Sequence, residues 1–136
     1  MIILPKSILQ QMIKNCKEEV PYESCGILAG NNRKVEKIYK MKNIEKSSTI
    51  YLMDSKEQLY VMKDIRNSGL KIEGIYHSHV FSSAQPSKKD IEMAFYPDIS
   101  YIIVSLEKEQ YPVVKSFQIN REKGNIEEEF INIENG

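Results

Sequence analysis

The sequence predicts an α/β (α+β) fold, a mixed and largely antiparallel β-sheet flanked by helices. Three observations predict it. Apolar residues recur at helical spacing in residues 5–19, short apolar or alternating runs bounded by Gly, Asn and Pro follow, and further helical patterns stand between those runs. A chain of 136 residues with 41% hydrophobic content can bury one core, so residues 1–136 are read as a single domain without repeat or linker.

The first helix is opened by Pro5, where a missing N–H is harmless, and its apolar face is Ile8, Leu9, Met12, Ile13 and Cys16. Residues 25–30 form a short apolar run closed by Gly30-Asn-Asn32, and residues 34–42 set Val35, Ile38 and Tyr39 among charges. Two antiparallel strands joined by a tight turn are expected there. Residues 43–48 are polar and read as a loop, and residues 49–53 as a further strand. Asp54 or Ser55 then caps a second helix, with Leu59, Met62, Ile65 and Arg66, that stops near Asn67-Ser-Gly69. Residues 71–77 read as a central strand, residues 86–90 as the start of a third helix, and residues 101–106 and 113–119 as two more strands. A last edge strand is expected over residues 126–131, and Met12, Met41, Met53, Met62 and Met93 are read as core filling.

Lys+Arg and Asp+Glu balance at 19 each, so no overall field draws in a polyanion or an anionic membrane, and nucleic acid is not expected as a partner. No apolar run approaches the roughly 20 residues of a membrane span. Cys16 and Cys25 form no Cys-x-x-Cys pattern, and the apolar start is broken at Pro5 rather than extended into a secretory signal. A soluble protein in a reducing, cytoplasmic setting is expected.

The two histidines of the chain lie in one tripeptide, His77-Ser78-His79, at the end of a predicted strand. Residues i and i+2 of a strand face the same side about 6 to 7 Å apart, so both imidazoles can converge on one ion at the roughly 2.0 to 2.1 Å that zinc requires. A bare His-x-His by itself favours the plainer reading, a pair of surface or hydrogen-bonded histidines. Further on, Ser87-Lys-Lys-Asp90 places a hydroxyl and a carboxylate in the first turn of a helix, where they can face the histidines or simply cap the helix. Glu23, in Pro21-Tyr-Glu-Ser-Cys-Gly26, falls where the first helix gives way to the first strand; alone it reads as a solvated acid. Cys25 sits in an apolar run, and once both histidines are engaged none remains to activate it, so it is read as a buried small side chain rather than a nucleophile.

Together these residues resemble a known family. Glu23, then His77-x-His79, seven residues, Ser87, two residues and Asp90 match the motif of the JAMM (MPN-plus) zinc metallopeptidases. Pro21-x-Glu-x-Cys-Gly-x-Leu-x-Gly30, Asn43, Tyr51, Gly74-x-Tyr-His-Ser-His79 and Ala84-x-Pro-Ser87 add to a likeness that spans roughly residues 1–120. The resemblance implies a cytidine-deaminase-like sheet and one zinc ion per chain held by His77, His79 and Asp90, with the fourth tetrahedral position open to water. It further implies that Glu23 is the general base and that Ser87 donates a hydrogen bond to the oxyanion. The substrate implied is a peptide or isopeptide bond after the Gly-Gly tail of a ubiquitin-like β-grasp or sulfur-carrier protein, bound as an added strand. The chain departs from the family at Val80, where proline is usual; a changed loop path or substrate contact is expected there, with the ligands intact. A non-catalytic MPN-type scaffold on the same fold is the competing reading, and hydrolysis of a small-molecule amide a third.

Overall fold

The computed structural model describes residues 1–108 and 110–136. In chain order the elements are β1 (Ile2–Pro5), α1 (Lys6–Glu18), β2 (Cys25–Asn31), β3 (Lys34–Met41), α2 (Ser55–Asn67), β4 (Lys71–His79), α3 (Lys88–Glu92), β5 (Ser100–Ser105), β6 (Val113–Asn120), β7 (Asn125–Glu129) and β8 (Ile131–Glu134). All eight strands join one sheet in the order β7-β6-β5-β4-β2-β3-β1-β8. β2 pairs antiparallel with β3 and β4, and β6 pairs antiparallel with β5 and β7, while β4–β5, β1–β3 and β1–β8 are parallel. The mixed, mostly antiparallel α/β architecture agrees with the expectation.

The hairpin between β2 and β3 turns on Asn32 and Arg33, both at positive φ, which suits the right-handed twist of the flanking strands. Asp54 caps α2 by accepting the Glu57 N–H at 3.1 Å, and Pro5 precedes the first turn of α1. Each face of the sheet carries its own apolar layer. Ile8, Met12 and Cys16 of α1 cover Ile2, Leu4, Leu28, Tyr76 and Ile102 on one side. On the other, Val61 and Ile65 of α2 pack with Ile27, Ile75, Tyr101 and Ile103.

Four expectations, on residues 49–53, on residues 126–131, on Leu59 and on two of the methionines, are corrected, and one strand stands where none is expected. Residues 49–53 form no strand; their contact with the preceding loop is an isolated bridge between Asn43 and Met53. The Asn43 side chain supplies the bonds a ladder would have made, donating to the Glu23 and Ile50 carbonyls and accepting from the Glu45 and Leu52 N–H groups. The apolar start of the chain is strand β1, whose Ile2 and Leu4 are fully buried. The expected edge strand over 126–131 is two strands, β7 and β8, which take opposite ends of the sheet on either side of Phe130. Finally, Leu59 is exposed: Val61 and Ile65, four residues apart, set the stripe of α2 that meets the sheet, and Leu59 falls on another side of the helix. Met12, Met41 and Met53 are core residues, whereas Met62 and Met93 are half-buried.

Candidate metal and catalytic centre

β4 alternates its side chains, so Ile75, His77 and His79 face the layer of α2 and α3 while Tyr76 and Ser78 face α1. The strand is held on both sides, by Cys25 opposite His77 on β2 and by Ile103 and Ser105 opposite His77 and His79 on β5. Both imidazoles are almost fully buried, at 3% and 4% exposure. Asp90 comes in from α3. That helix starts at Ser87, whose hydroxyl accepts the Asp90 N–H at 3.1 Å while the Asp90 carboxylate accepts the Ser87 N–H at 2.9 Å, a reciprocal cap.

The result is a compact donor set. His77 Nε2 lies 3.1 Å from His79 Nε2 and 3.1 Å from Asp90 Oδ1, and His79 Nε2 lies 2.9 Å from Asp90 Oδ2. The Ser83 carbonyl, 2.7 Å from His79 Nδ1, can only accept, so that nitrogen carries the proton and Nε2 presents its lone pair to the cluster. Lone pairs aimed at one another at these separations repel unless a cation or a proton lies between them. Two ligands at 2.0–2.1 Å on a tetrahedral centre are about 3.3 Å apart, close to the spacing found, so the donor set fits a small divalent ion. The charge of Asp90 suits it to the same role. Burial pushes its carboxyl up, but the two imidazoles and the Ser87 N–H more than reverse this and hold it well below the usual carboxylate range. His79 is lowered by burial yet raised further by Asp90 and the Ser83 carbonyl, a net upward shift. Tyr51 stacks on the His77 ring at 4.8 Å between centroids and walls that side of the centre.

Glu23 belongs to the loop that leads into β2. Its N–H donates to the Ser47 carbonyl at 2.7 Å and its carbonyl accepts from the Asn43 amide at 3.0 Å, which leaves the side chain to enter the site. The residue is 3% exposed, and Oε1 is buried with no hydrogen-bond partner. Burial pushes its carboxyl up to about 8; His79 opposes this and Asp90 adds to it, so both cluster residues act on its charge. A buried acid with an idle oxygen and a proton affinity near neutrality can take up and release protons at ordinary pH. All five residues singled out in the sequence thus occur in or beside this region: His77, His79 and Asp90 converge directly, Ser87 caps the helix that carries Asp90, and Glu23 is close enough to feel their charges.

Val80 is buried at 5% exposure, and the Leu106 N–H donates to the carbonyl of His79 before it at 2.9 Å, so the chain leaves β4 without disturbing the histidines. Val80 lines a groove of about 750 Å³ with Lys17, Val20, Phe81, Leu106, Glu107 and Gln110. Cys25 is fully buried and its thiol is pushed up to about 12, chiefly by burial, which removes it as a nucleophile near neutral pH. Asn43 belongs to the family pattern in the sequence, but its clamp on the Glu23 carbonyl is not legible there; a polar residue with four bonds in a structureless loop leaves no periodic signal.

A family described as the prokaryotic homologues of the JAB domain matches residues 5–120. The chain is 31% identical over 134 residues to the CysO-cysteine peptidase of Mycobacterium tuberculosis, covering 97% of this chain and 90% of the relative. It is 32% identical over 111 residues to the desampylase of Pyrococcus furiosus, covering 81% and 77%. Among solved structures, a protein of Desulfitobacterium hafniense superposes with a TM-score of 0.89 at 36% identity, covering 100% of this chain and 94% of that one.

Proposed function

We infer that this chain, which belongs to the family of prokaryotic homologues of the JAB domain and is a hydrolytic peptidase, holds one zinc ion at His77, His79 and Asp90. Its substrate on this reading is a peptide or isopeptide bond that follows the Gly-Gly tail of a ubiquitin-like or sulfur-carrier protein. The observation that carries the reading is the meeting of three ligand atoms within 4.8 Å of one another beside a buried carboxyl with an idle oxygen. The peptidase and desampylase relatives support the choice of substrate class.

Zinc at such a site lowers the pKa of a water to about 7 and polarises a carbonyl. The chain supplies the rest. Glu23 takes a proton from the attacking water and returns one to the departing amine, a role for which its buried, partnerless Oε1 is free. The Ser87 oxygen already accepts the Asp90 N–H, so its own O–H is the group left to donate to the oxyanion of the tetrahedral intermediate. His79 Nδ1–H is anchored on the Ser83 carbonyl, which keeps Nε2 aimed inward. β4 is paired on both sides, by β2 and β5, so a substrate tail bound as an added strand does not pair with the strand that carries the histidines.

Among the described residues no helix is long and apolar enough to cross a membrane. A cytoplasmic setting accords with Cys16 and Cys25 both being free and buried. The test is to measure bound zinc and then follow a sulfur-carrier or ubiquitin-like protein that bears extra residues after Gly-Gly, with a chelator and Glu23→Ala as controls. Stoichiometric zinc and cleavage after Gly-Gly are expected. Stoichiometric zinc without cleavage of any Gly-Gly-tailed protein would sink the substrate assignment.

A further inference from the structure

We propose that Asn15, on the inner face of α1, is a positioning residue for the reaction, tying the segment that carries Glu23 to the strand that carries His77 and His79. The proposal rests on the functional reading above for what those two segments do, and on its own contacts for the tie.

The tie lies behind the metal ligands. Because β4 alternates, the side chains that flank the histidines in sequence, Tyr76 and Ser78, point away from the ligand cluster and toward α1. Asn15 Oδ1 accepts the Tyr76 hydroxyl at 2.6 Å and the Ser24 hydroxyl at 2.8 Å. Ser24 in turn donates its N–H to the Ser78 hydroxyl at 2.8 Å, and the Ser78 N–H donates to the Ser24 carbonyl at 3.0 Å. One amide oxygen, using both lone pairs, thus anchors the residue after Glu23 and the residue before His77, and through Ser24 it reaches the residue between the histidines. Ser24, Tyr76 and Ser78 are fully buried and Asn15 is 5% exposed, so water does not substitute for any of these bonds.

Packing alone does not account for an asparagine at this place. The other buried residues of α1 are Ile8, Met12 and Cys16, and asparagine is a poorer helix former than leucine or methionine, so an apolar side chain would serve the helix and the core better. Two buried hydroxyls without an acceptor would be unfavourable, and Asn15 supplies that acceptor at the one point where both can reach it. The approach of Tyr76 depends on Gly26: a Cβ there would stand 2.1 Å from a ring carbon and 2.5 Å from the hydroxyl, so the missing side chain lets the ring cross β2 toward the helix. Glu23 stands just outside the ladder, which begins at Cys25; its own backbone is held by the Ser47 carbonyl and the Asn43 amide, and Ser24 is the neighbour through which the tie to α1 and β4 reaches it. A shift of Ser24 would carry the Glu23 carboxyl with it, and a displacement of about 1 Å at a reacting group costs on the order of a hundredfold in rate.

The test compares the zinc-loaded parent with Asn15→Leu, Ser24→Ala and the double variant, reading zinc content, kcat and KM. Amide hydrogen exchange at Ser24, Ser78, Ile27 and Ile75 is followed in the zinc-free proteins. Each single variant is expected to keep stoichiometric zinc, to hold KM within about threefold, and to lose on the order of tenfold to a hundredfold in kcat. The double variant should be little worse than Asn15→Leu, since the one bond that Ser24→Ala removes is among the two that Asn15→Leu removes. Exchange should rise at least tenfold at Ser24 and Ser78 while Ile27 and Ile75 stay protected. Parent-like kcat in folded Asn15→Leu, additive losses, or unchanged exchange at Ser24 and Ser78 would each overturn the proposal. Should Asn15→Leu not fold, Ser24→Ala decides by the same readings. A parent that cleaves no Gly-Gly-tailed protein would refute the functional reading instead, and the exchange data would still decide whether the tie exists.

Discussion

Asp90 Oδ2 stands 2.9 Å from His79 Nε2 and also accepts the Ser87 N–H at 2.9 Å, so a single carboxylate oxygen serves both the ligand cluster and the cap of α3. Capping the helix and facing the histidines, which the sequence allows together, coincide because the first turn of α3 is the point at which Asp90 meets His77 and His79 of β4. The two roles can be separated by substitution. Asp90→Asn keeps an oxygen for the Ser87 N–H but loses the charge; it should fall below about a tenth of stoichiometric zinc while the metal-free protein stays within about 1 kcal/mol of the parent. Zinc quantitation after dialysis and a denaturant titration check both halves.

Glu23→Gln should keep stoichiometric zinc and lose on the order of a hundredfold or more in kcat, since the amide fills the same buried space without accepting a proton. Turnover at the parent rate would remove Glu23 as the base.

Ser87→Ala is expected to keep zinc, to lose on the order of a hundredfold in rate, and to weaken the start of α3 by about 1 kcal/mol. Steady-state kinetics beside a metal assay tell the rate effect from a loss of ligand geometry, because Asp90 would be released only if the cap alone held it.

Gly26→Ala should destabilise the protein by about 1–3 kcal/mol, because the new methyl group would meet the Tyr76 ring. Gly69→Ala is a useful contrast: nothing lies within 4 Å of its Cβ position, so its cost arises from the positive φ alone. Thermal or denaturant unfolding measures both.

Glu129 predicts an acid limb in stability. Burial raises its carboxyl, but the Ser100 and Ser116 hydroxyls, the Met1 amine and the Gln118 amide more than reverse this and bring it down to about 2. Its folded value is therefore depressed relative to an ordinary 4.5, so its contribution is present above about pH 4.5 and is lost as pH falls through 2. Glu129→Gln should lower stability at pH 7 by on the order of 2 kcal/mol and flatten the curve between about pH 4.5 and 2, as read by unfolding titrations across that range.

The helices, the hairpin and the central strands were legible because each rests on local pattern: α1 on Ile8, Met12 and Cys16, and the turn on residues next to Gly30. Strand β1 was not, since four residues after the start carry too little period, and they become a strand by pairing with Ile131 to Glu134 at the far end of the chain. Residues 49–53 misled for the opposite reason: β-prone residues are present, but Asn43 takes up their backbone groups before any neighbouring strand can.

By itself the sequence determined which potential ligand side chains share a face. His77 and His79 at i and i+2 of one strand, and Ser87 and Asp90 at the ends of one helical turn, are local relationships that backbone geometry converts directly into shared faces. Only the tertiary structure decided how the pieces are held together. Asn15 meets Ser24 and Tyr76, Ser24 meets Ser78 across 54 residues, and the raised proton affinity of Glu23 comes from burial made by distant segments. Such contacts depend on which elements pack together, and hydrogen bonds and desolvation act through space, where spacing along the chain carries no record of them.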